Sequence, residues 1–469
     1  MIKLSRPYFS LYGLYLLVSL SLGGCLFQEN TYIPLKANFI PSRSIIQVGD
    51  TINFTNASQV AFSHVWNFGD GNTSTEANPS HVYQDTGRYE VVMVSIKKDG
   101  VTTDTIRTEM VVLPPEESAT NTITIGTATN DELGYAVTKL QDGSLLLVGR
   151  ENLKNLQVIK TLDGNTNIWQ SNFDNLSGGQ IIANAVKELS DNSIVIVGYY
   201  FDSQDANDAF IIKLDKDGKE IWRNRLATVD NEIYKDVIEA PDGSLIVLGS
   251  INATSIELDN YTTAGILTKS SSFGETHIPE SMLLSSTNKI VVSGTNNKAN
   301  PFILQTDLNF TQEKFQNLQL NGEVFKIIQL TDGAFAVAGN TTTSDSSTRA
   351  LVAKIDANGL GTVWQASPLE YSRLASTEVF TDIVQSGQNL ILLGTHNNSL
   401  SNNDVILCKY DISGSSAALQ LIKVYGGAQN DFGRQLLLDN TNLYFVGETN
   451  SFGSGQRDIY FVRLDLDLK

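Results

Sequence analysis

The feature that most constrains this chain is an apolar strand closed by glycine that recurs seven times. Ser-Leu-Leu-Leu-Val-Gly149, Ser-Ile-Val-Ile-Val-Gly198, Ser-Leu-Ile-Val-Leu-Gly249, Lys-Ile-Val-Val-Ser-Gly294, Ala-Phe-Ala-Val-Ala-Gly339, Leu-Ile-Leu-Leu-Gly394 and Leu-Tyr-Phe-Val-Gly447 stand 45 to 55 residues apart. A period of this length marks one supersecondary unit used repeatedly. Each unit has room for four strands. In the first, an amphipathic stretch (Tyr-Ala-Val-Thr-Lys-Leu, 135 to 140) and the turn Asp142-Gly143 lead into the apolar strand. In the second, Phe-Ile-Ile-Lys-Leu-Asp (210 to 215), Asp217-Gly218 and Ile221-Trp222 supply a third strand, a turn and a fourth strand. A lone four-stranded sheet cannot cover both its faces, so seven of them are expected to stack radially as the blades of a β-propeller.

The ends of the repeat array bear on closure. The seventh unit reaches Lys469 after its third strand, Asp-Ile-Tyr-Phe-Val-Arg-Leu. Thr122-Ile123-Thr124-Ile125-Gly126 followed by Asn130-Asp131 parallels Lys423-Val424-Tyr425-Gly426 followed by Asn430-Asp431. The N-terminal strand is therefore expected to complete the last blade, which leaves no unpaired blade edge. Across 121–469 the repeats resemble bacterial propeller repeats of the Asp-Gly, strand, Gly type. The segments Lys213 to Trp222 and Lys354 to Trp364 also resemble quinoprotein-like propellers, in part only: Trp169, Trp222 and Trp364 serve three blades, and the adjacent cysteines and cofactor clamp of that group are absent.

Four further segments precede the array. Residues 1–24 combine Lys3 and Arg6 with an apolar run from Tyr8 to Leu22 that is short for a membrane span, and they read as a cleaved signal. Leu22-Gly23-Gly24-Cys25 resembles the lipobox of bacterial lipoproteins, which implies acylation of Cys25 and a lipid-anchored protein of the cell envelope, at the outer membrane. Residues 25–35 form a tether, and its Gln28-Glu29-Asn30 does not select a leaflet. Residues 36–113 alternate in short strands separated by turn residues, as a β-sandwich does. Trp66-Asn67-Phe68-Gly69-Asp70-Gly71, Asn78-Pro79-Ser80-His81-Val82-Tyr83 and Asp85-Thr86-Gly87-Arg88-Tyr89-Glu90-Val91 make this stretch resemble the PKD domain, an immunoglobulin-like module. Tyr89 occupies the place of a tyrosine corner, and Val91 stands where antibody domains put a cysteine. Asp70 is expected to close a turn, and the sandwich to act as a spacer. Pro114-Pro115-Glu116-Glu117-Ser118 opens the linker 114–120. The fold class is thus all-β, an Ig-like sandwich followed by a seven-bladed propeller.

Charge and composition exclude several functions. A formal net charge of −18 repels phosphate backbones, so nucleic acid is not a partner. With Cys25 lipidated, Cys408 is left alone in an apolar strand and is expected to be a small buried hydrophobe. Four scattered histidines and no paired Cys or His leave no zinc-type spacing. No Gly-x-Ser-x-Gly, phosphate loop or histidine placed beside a nucleophile is present, so no catalytic residue is assigned.

Two groups are candidates for binding. Tight turns on one propeller face and long polar loops on the other (199–208, 250–264, 340–349, 395–404, 448–457) concentrate function on the loop-bearing rim. There Tyr199, Tyr200 and Phe201 adjoin Asp202, Asp205 and Asp208, a mixture that suits a sugar or peptide, although packing against neighbouring blades is the weightier expectation for the aromatics. An acid also opens the innermost strand of six blades: Asp131 or Glu132, Glu232, Glu280, Glu323, Glu378 and Asp431. These could ring the channel mouth and draw a cation such as calcium or a basic partner, or they could simply bond to backbone amides between blades. No cofactor is expected apart from that calcium. The expected function is a membrane-anchored, monomeric extracytoplasmic binding or adhesion protein whose rim takes a glycan or a protein. The alternatives are a structural subunit of an envelope assembly or nutrient-uptake complex, and a propeller enzyme of glycosidase or quinoprotein type.

Overall fold

A computed structural model describes residues 34–468 except 114–120, 153, 175–178, 202–205, 227, 275, 297–299, 312, 343–347, 360, 369–376 and 398–401. Cys25 and the tether up to residue 33 lie outside the described residues.

The N-terminal sandwich pairs a three-stranded sheet (Phe39–Pro41, Thr51–Asn56, Ser80–Val82) with a five-stranded one (Ile45–Gln47, Thr103–Leu113, Gly87–Ile96, Ser63–Asn67, Thr73–Ser74). Trp66 is fully buried between them, and the Phe39 ring meets it edge-on at 5.1 Å. Alternation along Ser63–Asn67 buries every second residue, which is how a strand feeds one face into a core. The Tyr89 hydroxyl donates to Asp85 O at 2.8 Å and so closes the tyrosine corner. Val91, fully buried, fills the cysteine position by packing alone.

Among the described residues, 121–468 forms seven four-stranded antiparallel sheets. Their extents are 132–174, 180–225, 232–273, 277–317, 323–366 and 378–425 for blades 1 to 6, and 431–465 for blade 7. Thr122–Ile125 is the fourth strand of blade 7 and pairs antiparallel with Asp458–Asp465, Ile125 opposite Ile459 and Thr122 opposite Val462. The expected closure is present, so the circle is shut by strand pairing. Second and third strands such as Ile194–Phe201 and Asp208–Leu214 are buried on both faces because each blade is covered by its neighbours. The outer-strand tryptophans fasten consecutive blades. Trp169 Nε1 donates to Lys216 O at 3.2 Å, and its ring lies against Gly218, where φ is 79° and a Cβ would come within 2.5 Å of the ring. Trp222 does the same to the next blade at Thr263 and Gly265. Glycine is required in these turns by both the backbone and the neighbour.

One expected loop is a strand. Residues 250–264 contain Ile256–Tyr261, the third strand of blade 3. Its acids concealed it: Glu257 is buried and accepts from Ser255 Oγ (2.6 Å) and Ser272 Oγ (2.7 Å), while Asp259 accepts from Tyr234 Oη at 2.6 Å. A buried strand can hold carboxylates when hydroxyls satisfy them.

The sandwich touches the propeller just after blade 5 and on blade 6. Arg88 Nη2 donates to Pro368 O, and Val111 packs on Val424 of the outer strand Ala418–Tyr425.

Candidate binding site in the central channel

The innermost strand of every blade carries one residue more than its partner at the same place. The register slips at Tyr135, Asn184, Lys235, Glu280, Phe325, Thr381 and Arg434. A bulge of this kind leaves one residue out of the ladder and re-aims its side chain. All seven line one cavity of 480 Å³ on the propeller axis. Residues just after the bulge, namely Ala185, Asp236, Lys326, Asp382 and Gln435, line it too. Further along the strands the lining mixes apolar side chains such as Ile238 and Leu283 with Lys187 and Glu239.

Many of these polar groups lace the ring together. Asp236 accepts from Val237 N (2.9 Å) and from Met282 N of the next blade (2.9 Å). Asp382 accepts from Ile383 N (2.8 Å) and from Leu436 N of the next blade (2.7 Å). Gln435 Oε1 accepts from Val137 N at 2.9 Å, so the pattern crosses the closure. Lys235 Nζ donates to Glu280 at 2.7 Å, Asn184 Nδ2 to Tyr234 O at 2.6 Å, and Arg434 Nη2 to Glu448 at 2.9 Å. Lys326 differs: among the described residues its ammonium has no hydrogen-bond partner. Burial works against its charge, but the facing Asp382 and Asp236 carboxylates outweigh burial and hold the Lys326 pKa above the ordinary lysine range.

With this geometry in hand, comparison with known proteins places the two parts of the chain. The PKD domain family matches residues 36–112, and a beta-propeller family described as a domain of unknown function (DUF5122) matches residues 189–219. Residues 36–112 are a PKD domain. Over 65 residues the chain is 40% identical to the collagenase ColA of Bacillus cereus, covering 11% of this chain and only 7% of that one. The PKD1 domain of the Vibrio cholerae metalloprotease PrtV is 30% identical, and the match covers 17% of this chain and 98% of that one with a TM-score of 0.15. A quinonprotein alcohol dehydrogenase-like protein of Bacteroides thetaiotaomicron is 10% identical, over 83% of this chain and 99% of that one, with a TM-score of 0.37.

In the PKD domain, Asp70 accepts from Asn72 N and Nδ2, both at 3.0 Å, and lies 2.7 Å from His81 Nε2. The His81 ring in turn stacks on Phe68 at 4.2 Å. Asp70 therefore closes the turn, as the sequence pattern implies.

The rim aromatics separate. Tyr200 is buried with its ring 5.0 Å from that of Phe210 and the Arg225 guanidinium carbon 5.1 Å above it. Tyr199 is half-buried, and burial raises its phenol pKa. The Arg434 and Glu280 charges perturb it in opposite directions. Phe201 alone is exposed, at 39%. Asp208 is buried and bound by Arg225 Nε at 2.7 Å, so it does not face the rim as a free acceptor. Asp202 and Asp205 lie outside the described residues.

The six innermost-strand acids do not form one ring, which overturns the channel-mouth candidate and leaves the other sequence reading, acids bonded locally between blades, for most of them. They occupy four different strand positions. Glu132, Glu232, Glu378 and Asp431 sit three residues before the bulge and are buried in the seams between blades. Glu132 Oε1 accepts from Thr127 N (3.2 Å) and Oγ1 (3.1 Å), Glu232 from Thr228 Oγ1, and Asp431 from Gly427 N (3.0 Å), Thr449 Oγ1 and Ser451 Oγ (2.6 Å). Glu378 lies 3.2 Å from His396 Nδ1. Burial raises the pKa of Glu132, Glu232 and Asp431. Asp131 instead spans the closure, bound by Arg457 Nε and Nη2, both at 2.6 Å, and by Arg150 at 3.3 Å. Burial opposes its ionisation, but the two guanidiniums prevail and hold its pKa below the usual range. Glu323 is exposed and binds Asn340 Nδ2 at 2.9 Å; Glu280 is the one member inside the channel. Their positions look alike in sequence because each lies near the start of a strand, whereas the bulge decides which of them faces the channel.

The sequence did hold a signal for the channel residues. Aligned on the anchor glycines, the bulge falls 13 or 14 residues upstream in every unit, and seven different residue types occupy it. Cys408 is fully buried in the core of blade 6, and burial pushes its thiol pKa up.

Proposed function

We propose that this chain is an extracytoplasmic recognition protein that takes its ligand at the channel of the propeller, with the PKD domain as the arm that carries it. The observation behind this reading is the bulge ring. The buried seam position repeats in type, as Glu132, Glu232, Glu378 and Asp431, whereas the channel position holds Tyr, Asn, Lys, Glu, Phe, Thr and Arg in turn. A site whose lining differs on every side recognises an asymmetric ligand, and 480 Å³ lies in the range of small-ligand sites. Binding of a glycan or of a protein's projecting end fits this shape. Anchoring through lipid on Cys25 is supported by Leu22-Gly23-Gly24-Cys25 and would hold the propeller at an envelope surface.

The test is a glycan and protein array probed with the purified chain, its Ala185→Phe variant, which narrows the channel, and its Phe201→Ala variant, which trims the rim. Loss of the captured ligand in Ala185→Phe but not in Phe201→Ala supports the channel. The reverse pattern moves the site to the rim, and consumption of the captured ligand would make the protein an enzyme.

A further inference from the structure

Resting on that channel reading, the geometry points to a carboxylate-bearing sugar, a uronate, as the ligand class, its carboxylate held by Lys326. Three observations combine. First, the unspent hydrogen-bonding capacity of the channel is mostly donor. Both oxygens of Asp236 and both of Asp382 are already bound to backbone N–H groups. Among the described residues Lys235 and Arg434 each spend a single hydrogen bond, on Glu280 and Glu448 respectively, and keep N–H groups to spare. Lys326 spends none among the described residues and lies in the cavity lining. An ammonium with three unmet donors is best satisfied by a charged acceptor, because such bonds are about twice as strong as neutral ones.

Second, the channel lining is balanced in charge on an otherwise acidic molecule. The chain has 33 basic and 51 acidic residues, yet the cavity lining has four of each: Lys187, Lys235, Lys326 and Arg434 against Asp236, Glu239, Glu280 and Asp382. Because the two aspartates facing Lys326 are fixed by amides on two blades, they cannot swing away to leave it, and they hold its charge in place.

Third, the same ring offers what a sugar body needs. Phe325 and Tyr135 supply ring faces for C–H groups, and Asn184 and Gln435 supply amides. The second oxygen of Glu280, the one Lys235 does not bind, is a spare acceptor for a hydroxyl.

The experiment is calorimetric titration of the full chain with sodium glucuronate, sodium galacturonate, glucose and sodium acetate at one ionic strength. A uronate is expected to bind at least tenfold more tightly than glucose or acetate. Lys326→Met should abolish that preference and Lys326→Arg should keep it, with thermal unfolding confirming that both variants are folded. Glucose bound as tightly as the uronates overturns the carboxylate assignment while leaving the channel site standing. Acetate bound as tightly as the uronates overturns the sugar assignment. Uronate affinity unchanged in Lys326→Met overturns the role of Lys326, and if Ala185→Phe also leaves it unchanged, the channel reading falls as well.

Discussion

Two sets of side chains on the same seven strands have opposite fates. Three residues before the bulge in four of the blades, Glu132, Glu232, Glu378 and Asp431 are buried in the seams and bound mostly by their own rim segments. At the bulge and just after it, Lys235, Lys326 and Arg434 stand in the channel with donors to spare. The strand alternates faces, and one inserted residue shifts which face the next side chains meet. The lesson is that an acidic pattern along a propeller strand is no guide to a binding ring until the bulge is located. Seam acids fasten, whereas the channel set combines fastening with recognition, and the two roles can be separated by substitution.

The largest effect is expected at Asp382, a buried carboxylate bound to amides of two blades. Asp382→Ala strips acceptors from Ile383 N and Leu436 N and leaves Lys326 facing one carboxylate fewer, at a cost of about 3 kcal/mol or more in denaturant unfolding. A loss below about 1 kcal/mol would show that the channel carboxylates do not lace the ring. Next comes the closure. Arg457→Ala removes a two-pronged bond to Asp131 and is expected to cost about 2 kcal/mol, with amide exchange in Thr122–Ile125 rising before that of other blades. If exchange rises evenly around the ring, the Asp131 contact is not what holds the seam shut.

How much of this was legible beforehand follows from the same contrast. Blade count, the closing strand and the tyrosine corner could all be read because each depends on a periodic or local pattern: the anchor glycines, the Thr122–Ile125 parallel and the Asp85-x-Gly87 spacing. The third strand of blade 3 was hidden because Glu257 and Asp259 look like loop residues until Ser255, Ser272 and Tyr234 are seen to satisfy them. The channel set was hidden for another reason. A bulge has no residue signature of its own, so Lys326 and Phe325 read as ordinary positions of an amphipathic strand. Only Glu280 was singled out, and for its charge.

Smaller effects sharpen the comparison further. Lys326→Met leaves Asp236 and Asp382 without the ammonium that faces them and is expected to cost about 1 to 2 kcal/mol, less than Asp382→Ala because no hydrogen bond among the described residues is lost with it. A cost near that of Asp382→Ala would make Lys326 a structural counterion and merge the two roles.

The seam side of the comparison is tested by Glu132→Gln. Its Oε1 accepts from Thr127 N and Oγ1, while its buried Oε2 has no hydrogen-bond partner among the described residues and the Asp458 carboxylate is close enough to repel it. Burial raises the Glu132 pKa, so the folded state holds this proton more tightly than the unfolded chain does. The seam's contribution is therefore full at low pH and is lost as pH rises through the folded pKa. Glutamine keeps the Oε1 bonds, never ionises, and puts an N–H donor where the unpartnered oxygen was. Relative to the parent chain, Glu132→Gln should be near neutral at about pH 4.5 and more stable by about 1 kcal/mol at about pH 8, measured as paired denaturation curves. A variant equally destabilised at both pH values would show that this seam depends on the ionised acid, and that seam and channel carboxylates are held in the same way after all.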